Sequence, residues 1–508
     1  MRLGIDFGTT RTRVAAVLKG NYPLITFQPE GGDGADWYPS LIAARGDRLA
    51  FGLEAQGVQY EPGWELLRSF KRLLSDTPPH AVWKIGQLEL PAIEWLTRFF
   101  RALRQDLTRQ SNLDAGRRER FEVMVGIPAN ANSNQRFLTL EAFRQAGFDV
   151  LGMLNEPSAA GIEYAHRYRA MDLTRRREHV VVYDMGGGTF DVAVIHMAGN
   201  QHEVIASEGI SRLGGDDLDA VLLEMALADP TLAAMECAAP RSRLLHVCRE
   251  AKESINPNSR KIGVDFGQIQ PELGESVLPV AQFYEKCAPL ILETIQATEA
   301  AMQTGIGSTE GDTPSLASVY LVGGSCELPV LARSLRDRFG KRVRRSPYPS
   351  AATAIGLAIA ADQACGYVLT EHFSRHFGVW REGESGQRVI FDPIFTKETT
   401  VPQPGQAPLI VRRRYHPVHN VGRFRFLECS ALHPEGEPTG DILSWNEAVF
   451  PLDPRLAQSP HLEKLPVERA PGVESQLVEE VYQCDAAGVI EVTIANLTAD
   501  YSRSYRIR

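Results

Sequence analysis

The chain has 508 residues, 44% of them hydrophobic and 23% charged, with a formal net charge of −9. That length exceeds what one hydrophobic core organises, and the composition is that of a soluble globular protein, so two or three domains are expected and a disordered or fibrous chain is excluded. A nucleic-acid partner is excluded as well, because the basic runs Arg175–Arg177, Lys341–Arg345 and Arg412–Arg414 are short, separate and set beside turn or polar residues instead of forming one stripe.

The cysteines Cys237, Cys248, Cys287, Cys326, Cys365, Cys429 and Cys484 are odd in number and form no C-x-x-C pair, which fits reduced thiols. The N-terminus runs directly into a strand, and no apolar stretch approaches the length of a membrane span, so a cytoplasmic protein with no membrane partner is expected. His372 and His376 are four apart and near Cys365, but no further ligand stands at zinc spacing; a partly buried linker helix is expected there.

In chain order, the first element is an apolar strand that ends in Asp6-Phe7-Gly8-Thr9-Thr10 and continues as the alternating run Arg13 to Val17. Ile93, Leu96, Phe100, Leu103 and Leu107 recur at helical spacing, and Phe121 to Val125 reads as a strand. Gln135 to Ala146 reads as a helix closed by Gly147, and Pro157 opens the next helix after a strand ending near Leu154. Asp184-Met185-Gly186-Gly187-Gly188-Thr189-Phe190-Asp191 then repeats the opening pattern of strand, Asp, Gly/Thr turn and strand. In such a unit the glycines let backbone N–H groups approach phosphate oxygens, and the Asp at the strand end can hold a hydrated divalent cation. Two copies predict a duplicated α/β domain with a cleft that clamps a nucleoside triphosphate from both sides. Gly214-Gly215-Asp216-Asp217 and Leu321-Val322-Gly323-Gly324-Ser325 offer two further backbone surfaces for nucleotide.

After Asp362 the pattern changes. Phe424 and Phe426 alternate with Arg423 and Arg425, and Ile490, Val492 and Ile494 alternate with Glu491 and Thr493, which is strand periodicity with one wet face. Asp485-Ala486-Ala487-Gly488 reads as a hairpin turn, and the proline-rich stretch from Pro434 to Pro471 as a long surface loop. The expected domains are 1–363, a linker at 364–377, and an all-β domain at 378–508.

Taken in order, the two hairpins, Lys71 in Ser69-Phe70-Lys71-Arg72, Gly126-Ile127-Pro128-Ala129 through Arg136, Asn155-Glu156-Pro157 and Leu321 to Ser325 resemble the seventy-kilodalton heat-shock chaperone family, DnaK-like proteins on the actin and hexokinase ATPase fold. Val481 to Val492 is similar to the penultimate hairpin of that family's peptide-binding β-sandwich, and Val389 to Ile394 with Thr399 to Pro402 to its opening strands. The resemblance implies ATP and ADP as ligands, Mg²⁺ as the metal with K⁺ as a candidate further cation, and slow hydrolysis. It implies that Asp6 and Asp184 hold the water shell of Mg²⁺, and that Lys71 contacts the terminal phosphoryl group and the attacking water, with Glu156 helping to position that water. Gly8, Thr9, Thr10, Arg11, Gly186, Gly187, Gly188 and Thr189 would surround the phosphates, with Gly214, Gly215, Lys252, Gly323, Gly324 and Ser325 around the rest of the nucleotide. Pro128 and Arg136 would relay nucleotide state to the β-domain. Trp380, Tyr415, Phe424 and Phe426 are candidate peptide contacts, with core packing as the alternative for the two phenylalanines. Implied partners are an extended or unfolded polypeptide, co-chaperones, or one dedicated protein.

The departures from the family pattern bear on function. Ala251 and Lys252 are kept, but Glu253 and Glu327 stand where the family has the two arginines that enclose adenine, and Arg249 replaces an acid. Ser350 stands in place of an Asp, Gly152 in place of a basic residue that contributes to J-domain binding, and the usual leucine-rich acidic linker is not found near 363–378. With the chain ending at Arg508, no helical lid or acidic tail is expected. Three readings follow: an ATP-driven chaperone, an ATP-gated scaffold with one partner, or another enzyme or filament protein on the same fold. Lys71, the Thr189-Phe190-Asp191 continuation and the C-terminal strands oppose the third.

Overall fold

A computed structural model describes residues 1–28, 32–77, 81–116, 118–168, 177–228, 240–267, 269–383, 388–445 and 447–506. Arg175, Arg176 and Cys237 lie outside the described residues. The chain separates into two compact units, one of residues 1–130 and 138–369, the other of 131–137 and 370–508.

The first unit is mixed α/β and is built on two sheets of the same plan. In one, strand Arg2–Asp6 turns back antiparallel onto Arg11–Ala16, which leads to Tyr38–Pro39, while Glu122–Ile127 and then Asp149–Asn155 add in parallel on the other side. In the other, His179–Met185 turns back onto Phe190–Ala198, which leads to Gln201–Ile210, while Leu316–Val322 and then Val343–Arg345 add in parallel. Each central strand therefore ends in a Gly/Thr turn, and the repetition expected from the sequence recurs in the strand order.

Helices Glu156–Tyr168 and Ala352–Ala361 pack against these strands at very short range. A Cβ on Gly356 would lie 1.8 Å from the Ala159 carbonyl oxygen, and one on Gly4 would lie 2.2 Å from the Ala358 nitrogen. The helix periodicity from Ile93 to Leu107 becomes Ala92–Arg109, whose Trp95, Phe99, Phe100 and Leu103 are fully buried. Phe7, Phe70, Phe99 and Phe100 form one aromatic cluster under the first Gly/Thr turn.

The second unit contains two four-stranded antiparallel sheets. One runs Arg388–Phe395, His376–Gly383, Phe426–Leu432, Pro438–Ser444, and the other Leu409–Tyr415, Val478–Cys484, Ile490–Asn496, Tyr501–Arg506. Strands Val478–Cys484 and Ile490–Asn496 alternate strictly between buried and half-buried residues, joined by the turn in which the Gly488 N–H donates to the Asp485 carbonyl at 2.9 Å. Arg381 forks onto the fully buried Glu480 at 3.0 and 2.9 Å and also meets Asp392.

Two expectations are corrected. His372 and His376 are not on a helix: His372 bridges Thr400, and His376 opens a strand whose first rung pairs with Cys429. The pairing of extended chain overrides the i, i+4 pattern. The stretch from Pro434 to Pro471 is not one long loop, since Pro438–Ser444 pairs with Phe426–Leu432 and Ala448–Pro451 with Val421–Phe424. Its prolines sit where a missing N–H costs nothing: Pro438 begins an edge strand, Pro451 ends a strand and Pro454 starts a 3₁₀ turn.

The close approach of the two helices gives a stability prediction. Gly356→Ala, although favourable for an isolated helix, should destabilise the first unit by about 1–3 kcal/mol through overpacking, seen as a lower midpoint in thermal or urea unfolding. An unchanged or raised midpoint would refute the packing argument.

Candidate functional site

Both Gly/Thr turns line one cleft in the first unit. The first is held from behind by Ser40, whose hydroxyl donates to the Gly8 carbonyl at 2.7 Å and lies 3.0 Å from the Thr12 hydroxyl. The second is held by helix Gly215–Leu227: the Gly215 N–H donates to the Gly186 carbonyl at 3.0 Å and the Asp216 N–H to the Gly187 carbonyl at 2.7 Å. The turns approach each other so closely that side chains are excluded. A Cβ on Gly188 would lie 2.7 Å from the Thr9 hydroxyl oxygen, and one on Gly187 would lie 2.9 Å from the Thr10 methyl carbon.

Beneath the turns the charge is mostly negative. Lys71 is delivered by the 3₁₀ segment Phe70–Ser75, which starts after Ser69 in a left-handed conformation (φ 53°), an uncommon setting for a non-glycine residue that neighbouring contacts must support. The Lys71 ammonium is buried, donates to Glu156 Oε1 at 2.5 Å and lies 5.7 Å from the centroid of the Phe7 ring. Burial pulls its pKa down, but Glu156 and Asp6 outweigh that and hold it above the usual lysine range. Burial, with Glu156 next, raises the Asp6 and Asp191 carboxyls to about 7, and Asp184 is raised well above the usual range for the same reasons. Among the described residues no group of three or more His, Cys, Asp or Glu is arranged to ligate a metal directly. The Asp6 and Asp184 carboxyls are of a chemistry that could hold a hydrated cation, whose charge would relieve the excess of carboxylates.

On the opposite wall, the Lys252 ammonium donates to the Gly215 carbonyl at 2.7 Å and pairs with Asp219 at 2.6 Å. Ser325 Oγ donates to the Gly186 carbonyl at 2.7 Å. Gly323 has φ +85°, and a Cβ there would meet the Met185 carbonyl oxygen at 2.3 Å and Asp184 at 2.5 Å, so only glycine serves. Glu253, Glu327 and Ser350 line the cleft too, and Glu253 is paired with Arg11 at 2.5 Å.

Asp6, Gly8, Thr9, Thr10, Arg11, Lys71, Glu156, Asp184, Gly186, Gly187, Thr189, Gly215, Lys252, Gly324 and Ser325 all line the cleft; Gly188, Gly214 and Gly323 are packed against lining residues. Sequence reasoning left Arg13, Asp191, Asp216 and Arg249 out of the site. The alternation Phe190-Asp191-Val192 within the second hairpin could have flagged Asp191, whereas Arg249 meets Asp216 (2.7 Å) and Asp219 (3.1 Å) only through folding.

The family model described as Hsp70 protein matches residues 109–373, more than half of the chain. The chain belongs to the Hsp70 family. Among curated relatives, the chaperone protein HscA homolog of Tolumonas auensis is 29% identical over 383 residues, covering 71% of this chain and 57% of that protein. The HscA homologs of Pseudomonas aeruginosa and Pseudomonas paraeruginosa are each 28% identical, covering 72% of this chain and 58% of theirs. The chain therefore spans less than two thirds of the length of these Hsp70 relatives. No helix among the described residues is long and apolar enough to cross a membrane.

Outside the cleft, Pro128 is buried just after strand Glu122–Ile127. Arg136 lies in the second unit beside Gly488, within electrostatic reach of Glu371 and Glu428. The peptide-contact expectation for Phe424 and Phe426 is corrected: they are only 6% and 2% exposed and belong to the second unit's core, because their alternation with arginines points them inward. Trp380 is half-buried, edge-on to Phe391, and Tyr415 is half-buried against the same core.

The raised carboxyls of this Hsp70 member predict a pH dependence. Asp6 and Asp191 have folded values near 7 against 3.8 for the ordinary group, so between those values the folded chain binds more protons than the unfolded one. Their contribution to stability is then largest below that window and declines as pH rises through 7. In chelator and without nucleotide, Asp6→Asn should raise the unfolding midpoint at pH 8 and flatten its decline between pH 5 and 7. A variant less stable than wild type at pH 8 would contradict this.

Proposed function

We propose that this Hsp70 family member binds and slowly hydrolyses ATP on an actin- or hexokinase-type ATPase fold, and that it couples nucleotide state to the binding of an extended polypeptide or a dedicated protein partner by its all-β unit, read as a β-sandwich. The observation that carries the proposal is the convergence of Lys71, Glu156, Asp6 and Asp184 beneath two facing Gly/Thr turns. Phosphoryl transfer needs positioning and charge neutralisation more than covalent chemistry, and this set offers both.

In this reading the N–H groups and hydroxyls of Thr9, Thr10, Gly187, Gly188 and Thr189 bind phosphate oxygens. Lys71 Nζ donates to the terminal phosphoryl group and to the attacking water, while Glu156, tied to Lys71, accepts from that water and fixes its line of approach. Mg²⁺, held through water by Asp6 and Asp184, supplies charge neutralisation when bound, and K⁺ is proposed as a further cation at the same carboxylates. Gly215, Lys252, Gly324 and Ser325 form the wall against the nucleoside. The relay role of Pro128 and Arg136, and co-chaperones as partners, rest on the family match at those positions. A domain of 1–363, a linker and a β-domain of 378–508 would divide these tasks.

The burial of Phe424 and Phe426 favours a second reading, an ATP-gated scaffold or adaptor with weak general peptide binding, because two of four expected apolar contacts serve the core instead. Single-turnover ATP hydrolysis with and without an unfolded polypeptide separates the two. Stimulation is expected of the chaperone, and equal rates would establish the adaptor.

A direct test of the chemistry is Lys71→Ala. It should slow single-turnover hydrolysis by about a hundredfold or more, the usual loss for a preorganised electrostatic group, while nucleotide affinity changes far less because the other phosphate contacts remain. A rate within about threefold of wild type, far short of that loss, would remove Lys71 from the mechanism.

A further inference from the structure

A second, smaller cavity of about 50 Å³ opens beside the nucleotide cleft and shares Thr10, Arg11 and Arg249 with it. Its charged lining is of one sign: Arg11, Arg68 and Arg249 face it beside the His246 imidazole, and no carboxylate does. Hydroxyls of Thr10, Ser40 and Ser69, the amides of Gln56 and Gln59, and the Trp37 indole complete most of the wall. Arg11 sits 4.8 Å over the Trp37 ring, which holds its guanidinium at the boundary between the two cavities.

The carboxylates that balance these cations stand on other sides. Asp216 and Asp219 hold Arg249, Glu253 holds Arg11, and Glu250 meets His246 at 3.4 Å. Among the described residues Arg68 forms no ion pair with a carboxylate, Glu250 reaching it only electrostatically: one terminal nitrogen donates to Gln59 at 2.6 Å, and its Nε is buried with no partner. His246 Nδ1 is likewise buried without a partner. The neighbouring guanidinium groups add to the effect of burial: burial and then Arg68, Arg249 and Arg11 push His246 down to about 3, and burial and then Arg249, against Tyr60 and Glu250, lower Arg68 to about 10. Arg249, the position at which this chain departs from the family's acid, contributes to both shifts.

We propose that this chamber is an anion subsite that takes one tetrahedral phosphate beyond the nucleotide's own phosphate positions, with Arg68 as its principal donor. Size favours that class. At roughly 10–15 Å³ for each water, the cavity holds a few waters or one oxyanion, and it is too small for a second nucleoside. Its junction with the cleft at Thr10, a residue of the first Gly/Thr turn, makes the source either orthophosphate leaving after hydrolysis or the distal phosphate of a longer nucleotide. The setting rests on the nucleotide reading above; the anion chemistry of the chamber does not.

The test is calorimetric titration of the full chain. With Mg-ADP saturating, orthophosphate should bind with one-to-one stoichiometry, and Arg68→Gln should weaken it roughly tenfold to a hundredfold, the range for a charge-assisted hydrogen bond, with ADP affinity unchanged. Gln59→Glu, which supplies the carboxylate that the chamber lacks, should weaken phosphate similarly and guards against misfolding of the first variant. Adenosine tetraphosphate against ATP distinguishes the sources: an Arg68-dependent advantage of the tetraphosphate assigns the distal phosphate, and equal affinities assign orthophosphate. If ADP fails to bind but orthophosphate still binds in an Arg68-dependent way, the nucleotide reading fails and the subsite stands. No phosphate binding to the wild-type chain, or phosphate binding lost in Lys71→Ala but kept in Arg68→Gln, overturns the proposal.

Discussion

Four carboxylates, Asp6, Glu156, Asp184 and Asp191, share the Lys71 ammonium within a buried region, and the cleft depends on that imbalance. A buried ion pair is weak evidence for stability, because desolvation offsets much of the attraction. Here one ammonium does not balance its neighbours, and burial with their mutual repulsion raises the carboxyl pKa values. Such a region is stable only if the surrounding structure compels it, or if a cation joins it. The compelling parts are visible: the aromatic cluster beneath Lys71, the left-handed Ser69 before it, and Ser69 Oγ donating to Asp216 at 2.5 Å. Those contacts within the protein fix where Lys71 stands.

The same strand plan used twice explains why two turns can meet at one cleft. In each sheet the central strand has a parallel neighbour on one side and a hairpin partner on the other, so its carboxyl end, with the Asp, emerges beside a tight turn. Glycine is required where backbones then come together. A Cβ on Gly214 would lie 2.7 Å from the Gly187 carbonyl carbon, and one on Gly188 would lie 2.6 Å from Arg72 Cγ. Local turn chemistry and the narrowness of the cleft are therefore one constraint.

What the sequence disclosed follows from this. The two hairpins were legible because their spacing encodes local backbone geometry, Lys71 and Glu156 became candidates only through the family resemblance, and the helix from Ile93 to Leu107 was legible because its periodicity is long. The Lys252–Asp219 and Arg249–Asp216 pairs were not legible, since each joins residues more than thirty positions apart on different helices. In the second unit, proline content suggested a loop where strands form, because prolines at strand ends and edges leave the ladder intact. Phe424 and Phe426 carried both readings in their alternation, and only packing decided between them.

The departures around the base side of the cleft act together. Glu253 could have left an uncompensated carboxylate where a nucleotide brings more negative charge, but it pairs with Arg11, so hairpin and helix Arg241–Glu253 are joined across the mouth of the cleft. Arg249, placed four residues earlier on that helix, turns to Asp216 and Asp219 behind the second Gly/Thr turn. Both cations are thus tied to carboxylates, and Arg11 is already engaged on an aromatic face, 4.8 Å over the Trp37 ring. In the proposed nucleotide reading, Glu327 and Ser350 offer polar groups on the wall of the cleft, and Arg11 and Arg249 join the cleft to the basic chamber.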